Sequence, residues 1–310
     1  MCDLARSQIR LYEDEVVSGR LASGSIEKQQ ASNGLLIYLF HLSLGHTSLG
    51  EHQEAIQVSR RFVEQYEALP PVLQADINNM NMYIQLLHNT GLTLERSGDV
   101  QGAITNLTAA ANMIDRTANG TSDPSAALAP TLVKLDHRSD IYSALGNLYT
   151  ACKQFPLGTD WHHRAVSVEN SKPRSDRKWT TYHAAASCLA QQGKFEEAIQ
   201  NDTEAISFFA DPTSPASTQQ PNPRIFFNRG LCYQRLAEPN WEASIADFTR
   251  VLMIDERTFP KAYVLRAKAL LRQQEWSRVV EDCQAALKLT PTDAQAREFM
   301  TFAQQQLEQQ

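Results

Sequence analysis

Apolar residues recur along this chain at steps of three and four, with a small residue repeatedly held in register between two large ones. From Lys261 to Asp293, Tyr263, Ala267 and Leu270 mark one stripe, and Trp276, Val279, Val280, Cys283, Ala286 and Leu287 mark a second. That spacing predicts two amphipathic helices, the second closed by Pro291, which lacks an N–H and disfavours helix in the residue before it. Ala267 and Ala286 leave room for the two backbones to approach at a crossing. One hairpin cannot bury both stripes, so packed neighbours are expected.

The same spacing returns in five other places. Leu39, Ser43 and His46 precede Ala55, Ile56, Phe62 and Val63 around Gly50, with Ser43 standing where a smaller residue is usual. Leu87, Gly91 and Leu94 precede Ala103, Ile104, Leu107 and Ala110 around Gly98. Tyr142, Leu145, Gly146 and Tyr149 form a third first helix. Its partner is expected to be displaced and short, carrying Trp161, Ala165 and Val168 after an irregular QFPLGTD turn. Tyr182, Ala186 and Leu189 pair with Phe195, Ala198, Ile199, Ala205 and Ile206 beyond Gly193. Phe226, Gly230 and Tyr233 pair with Trp241, Ile245, Phe248, Val251 and Leu252. A first helix over Asp3 to Arg20, a second from Ile26 to Leu49, and a long one opened by Pro70 and Pro71 and running through Arg96 complete the expected elements.

This pattern resembles the tetratricopeptide (TPR) repeat, a helix–turn–helix unit of roughly 34 residues. The last two copies are similar to the TPR regions of J-domain co-chaperones in FFNRG and KAYVLRAKALL, although no His-Pro-Asp motif of a J domain occurs. The resemblance implies an all-α fold, a TPR-like α-solenoid of antiparallel helical hairpins forming a right-handed superhelix. It also sets the expected organisation: an N-terminal helical cap over 1–35, irregular repeats with long first helices over 36–117, a loop over 118–130 and an irregular repeat over 131–172. Three TPR repeats over 173–293, with a flexible insertion at 211–224, and a capping helix over 294–310 complete it.

Composition narrows the class. Of 310 residues, 42% are hydrophobic and 21% charged, which fits a soluble folded chain, and thirteen Gly and thirteen Pro are too few for a loop-rich all-β protein. The net charge of −6 argues against a nucleic-acid partner, because phosphate binding needs a concentrated positive stripe. No apolar run reaches the roughly 18 residues of a membrane span. The opening MCDLARSQIRLYEDE lacks the basic-then-apolar order of a secretion signal. Five widely spaced cysteines without a CxxC pair read as small buried hydrophobes in a reducing compartment, cytoplasmic or nuclear.

The sequence contains none of the motifs GxSxG, GxxxxGK[ST] and HExxH, and no strand-borne GxGxxG. A non-enzymatic interaction scaffold with no cofactor and no metal site is therefore the expectation, binding a protein or peptide partner in the groove that the first helices of TPR repeats line. By register that groove holds His183, Ser187, Phe227, Asn228, Leu231, Lys261, Leu265 and Lys268, and Arg224, Arg235 and Arg272 are expected to converge on it. In the family, a Lys, two Asn, a Lys and an Arg clamp the acidic C-terminal tail of a chaperone. The matching places here look like His183, Ser187, Asn228, Lys261 and Leu265, so only Asn228 and Lys261 keep the type. Arg224, Arg235, Lys261, Lys268 and Arg272 fit two readings, a positive patch for an acidic tail or chaperone and a solvated face neutralised by neighbouring Glu and Asp. A regulatory or targeting module of a multi-component enzyme, such as a transferase or phosphatase, is the alternative role.

Overall fold

The computed structural model describes residues 26–119 and 136–309. Every regular element among them is helical. In order they are α1 (Ile26–Leu49), α2 (His52–Glu67), α3 (Pro71–Gln74), α4 (Ile77–Ser97), α5 (Val100–Asn119), α6 (Asp136–Ala151) and α7 (Phe155–Asn170). Then come α8 (Trp179–Gln191), α9 (Phe195–Ala210), α10 (Pro223–Arg235), α11 (Trp241–Ile254), α12 (Pro260–Arg272), α13 (Trp276–Leu289) and α14 (Ala294–Glu308). The helix expected over Asp3 to Arg20, and the loop expected over 118–130 apart from Ala118 and Asn119 at the end of α5, lie outside the described residues. Within α6 the chain divides into two compact units, Met1–Leu148 and Tyr149–Gln310.

In the first unit α1 packs on α2, and α4 packs on both α2 and α5. The small-residue positions explain how closely the partners approach. A Cβ built on Gly91 would lie 2.7 Å from Leu107 Cγ, so α4 meets α5 at a distance no side chain allows. Ser43, at the matching place in α1, is buried, and its hydroxyl shares a 2.8 Å hydrogen bond with that of Ser59. The polar group in this crossing is thus satisfied from across it. The long helix expected from Pro71 is in fact broken. α3 stops at Gln74, and Asp76 starts α4 as its N-cap, accepting hydrogen bonds from the N–H groups of Asn78 (3.0 Å) and Asn79 (3.1 Å). Tyr66 Oη donating to Gln74 O (2.7 Å) and Asn79 Nδ2 donating to Leu73 O (2.9 Å) hold the break in place.

The turns share one device. Gly50, Gly98 and Gly193 adopt φ of 75°, 89° and 79°, and each stands two residues before a second helix. Lys153 (φ 60°) and Gln274 (φ 62°) occupy the same place before α7 and α13, at the steric cost that a side chain carries in left-handed backbone.

In the second unit α8–α9, α10–α11 and α12–α13 are hairpins, each packed on the next, and α7 lies on α8. The short, displaced partner expected after α6 is instead a full helix. α7 starts at Phe155 and, at 16 residues, equals α9. Its QFPLGTD beginning looked irregular, yet Pro156 sits in the first turn, where a missing N–H breaks no helical bond. The insertion at 211–224, expected to be flexible, folds back as a 3-10 turn over Pro215–Thr218. Ala216 is buried with Tyr182, Phe208 and Ile225. Arg174 fastens the entry of that segment by pairing with Asp211 (2.6 Å) and Glu204 (2.8 Å) while lying over the Phe208 ring. Cys188, Cys232 and Cys283 are buried as expected, but Cys152 is exposed in the turn after α6. α14 closes the array with Ala296 and Ala303 against α13 and its neighbours.

Candidate peptide groove

The first helices α8, α10 and α12 lie in succession. On α10, Arg224, Asn228, Leu231 and Arg235 follow steps of four, three and four, and on α12 Lys261, Leu265, Lys268 and Arg272 repeat those steps, so each set forms one stripe. Phe227, Leu231 and Leu265 are half-buried and rest on Phe226, Phe248, Val251 and Ala262. Phe227 has the rings of Phe259 and Phe248 at 5.6 and 5.7 Å. They make an apolar floor that is not fully covered.

Polar residues tie α8 to α10 beside this floor. His183 Nδ1 lies 2.7 Å from the Asp202 carboxylate, the Ser187 hydroxyl donates to His183 O at 3.0 Å, and Asn228 Nδ2 donates to Ser187 Oγ at 3.3 Å. His183, Ser187 and Asn228 are therefore brought together. Asp202 itself is 1% exposed, at a depth in α9 that Phe248 fills in α11 and Cys283 in α13. Burial pushes its carboxyl up, opposed by the hydrogen bond and charge of His183 and by the charge of Arg229.

The cations are placed differently from a single cluster. Arg224 and Arg235 stand at opposite ends of α10, and Lys261 and Arg272 at opposite ends of α12, about 16 Å apart along each helix. Arg224 and Lys261 flank one end of the floor and Arg235 and Arg272 the other, with Lys268 between. Arg272 lies over the Trp241 ring at 5.9 Å. Among the described residues none of these five side chains forms an ion pair.

No family model matches the chain. The C-terminal part of a TPR repeat-containing protein from Cytophaga hutchinsonii superposes over 97% of this chain and 99% of its own length, with a TM-score of 0.55 at 10% identity. The fold is a tetratricopeptide-repeat solenoid. YrrB, described as a TPR protein with an unusual peptide-binding site, aligns over 74% of this chain and 97% of its own length (TM-score 0.52, 13% identity). In sequence, a DnaJ homolog subfamily C member 7 homolog from Schizosaccharomyces pombe is 29% identical over 119 residues, 38% of this chain and 23% of that protein's length.

The TPR hairpins are joined by arginines that sequence reasoning passed over. Arg229 grips Asp247 through Nε (2.9 Å) and Nη2 (2.7 Å), and its Nη1 donates to Thr203 at 3.0 Å. One repeat later Arg266 does the same to Asp282 (2.9 and 2.6 Å) and Thr249 (3.0 Å). Each guanidinium thus bridges its own second helix and the preceding one. Arg266 is therefore committed to Asp282 and cannot replace the groove arginine that Leu265 displaces. The signal was present as an Arg directly before the small residue, Arg229-Gly230 and Arg266-Ala267, with an Asp in the middle of the following helix. Burial pushes the Cys232 and Cys283 thiols up to about 12, which keeps these two protonated. Among the described residues no group of three or more His, Cys, Asp or Glu is placed to hold a metal, and no helix is long and apolar enough to cross a membrane.

Proposed function

We propose that the chain is a protein-interaction scaffold whose second unit holds an acidic segment of a partner across α10 and α12. The observation that carries this reading is the set of five cations without ion pairs around a half-covered apolar floor. Acidic side chains of the partner meet the cations at both ends, and an apolar residue between them rests on Phe227, Leu231 and Leu265. The peptide-binding site ascribed to YrrB and the sequence likeness to the DnaJ homologue support a peptide ligand and a co-chaperone-like role.

A chaperone tail ending in Glu-Glu-Val-Asp supplies that chemistry. Its terminal carboxylate gains less here than in a full clamp, because Leu265 cannot donate a hydrogen bond and Arg266 is engaged elsewhere. Fluorescence anisotropy with such a labelled peptide, free and amidated at its C-terminus, tests the proposal. Lys261→Glu with Arg235→Glu should weaken binding about tenfold or more, and amidation should matter by only about twofold. Unchanged affinity in the double variant sinks the reading.

A further inference from the structure

The first unit contains a cleft of about 400 Å³ between the second helices α2 and α5, floored by α4. Its floor is apolar, with Leu87 and Leu94 buried, and Ile56 of α2 adds a buried apolar residue from the wall. In the second unit the corresponding space between consecutive second helices is filled by a guanidinium of the chain itself, Arg229 or Arg266. The three positions of that arrangement can be followed into the first unit. The residue before the small one is Thr90, before Gly91. The counterpart of Asp247 and Asp282, counted from the start of the helix, is Asn106. The counterpart of Thr203 and Thr249 on the preceding second helix is Arg60. All three line the cleft.

None of them fills it. The Thr90 hydroxyl turns back to Leu86 O at 2.8 Å, and Asn106 Nδ2 donates to Gly102 O at 2.8 Å, which leaves the Asn106 amide oxygen as an acceptor. The cleft wall also carries Glu64, Glu67 and Asp99, three carboxylates against the one guanidinium of Arg60. We infer that this cleft is a docking site for an arginine side chain of a partner protein, which takes from outside the place that Arg229 and Arg266 occupy from within. The methylenes of the incoming side chain lie on the apolar floor and its guanidinium meets Asn106 and the carboxylates. This site is on a different unit from the acidic-peptide groove and has the opposite charge preference, so either can fail without the other.

Anisotropy titrations of the full chain with a labelled acetyl-Ala-Leu-Arg-Leu-Ala amide, and with versions carrying Glu or Leu in place of Arg, test it. The Arg peptide should bind about tenfold more tightly than either, and Thr90→Arg with Asn106→Asp, which supplies the missing guanidinium internally, should abolish the preference. Should that variant not fold, Glu64→Lys with Glu67→Lys should weaken the Arg peptide about fivefold or more. Equal binding of the Leu peptide would make this an apolar cleft only. That result, an unaltered affinity in a folded variant, or no saturable binding at millimolar peptide overturns the proposal.

Discussion

His162 gives the most demanding test of the packing. It lies as deep in α7 as Asp202 in α9 and Phe248 in α11, is 1% exposed, and neither ring nitrogen has a hydrogen-bond partner. Burial, with a smaller contribution from His163, lowers its pKa from 6.5 to about 4. The unfolded chain therefore binds the proton first as pH falls, so the neutral ring's contribution to stability is whole above pH 6.5 and is lost on the way down to pH 4. At about 1.36 kcal/mol per pH unit, the full loss is about 3 kcal/mol, of which about 2 kcal/mol falls between pH 7.5 and 5. His162→Leu, placing there the residue that Leu107 supplies in α5, should remove that loss. It should also stabilise the chain at pH 7.5 by about 1 kcal/mol or more, because two unpartnered buried nitrogens disappear. Urea unfolding followed by circular dichroism at pH 7.5 and pH 5 measures both quantities. If the variant loses as much stability between those pH values as the wild type does, the buried ring is not the titrating group and the reasoning fails.

Further perturbations address the pairing and the turns within single hairpins. Arg266→Ala leaves Asp282 buried without its partner and should cost about 3–5 kcal/mol, whereas Arg266→Met with Asp282→Leu should recover most of it; a double-mutant cycle in urea reads the coupling. Gln274→Gly relieves a side chain held at positive φ and should gain about 0.5–1 kcal/mol, while Gly193→Ala should lose about 1 kcal/mol, both read as shifts of the unfolding midpoint.

Much of the fold was legible because its signals are local and periodic. Gly50, Gly98 and Gly193 mark turns that need left-handed backbone, and Ala186, Gly230 and Ala267 mark crossings that need a small residue. The misreadings have equally local causes. Pro156 and Gly158 look like loop residues until Pro156 is placed in the first turn of α7, and Asp76 breaks a continuous apolar pattern only because its side chain caps. Asp202 and His162 were passed over for a different reason: a search for apolar periodicity skips polar residues at the very positions the core requires. The stripe of groove residues could be read from register. Whether its cations were paired could not, because pairing depends on which carboxylates neighbouring helices bring near, and the bridges made by Arg229 and Arg266 are hidden for the same reason.

The two guanidinium bridges also bear on how the second unit comes apart. In a linear array each repeat is held by its own stability and by its coupling to the next, and weak coupling lets the ends fray one repeat at a time. Arg229 spans α9 and α11, and Arg266 spans α11 and α13. The ion pairs themselves lie within hairpins, Arg229 with Asp247 and Arg266 with Asp282, so opening the last hairpin removes both charges together and strips the one before it of only the hydrogen bond to Thr249. The charge pairs thus hold each hairpin together, while the guanidinium couples neighbouring hairpins by one hydrogen bond each, so the array should open from its C-terminal end hairpin by hairpin, each Arg–Asp pair leaving as a unit.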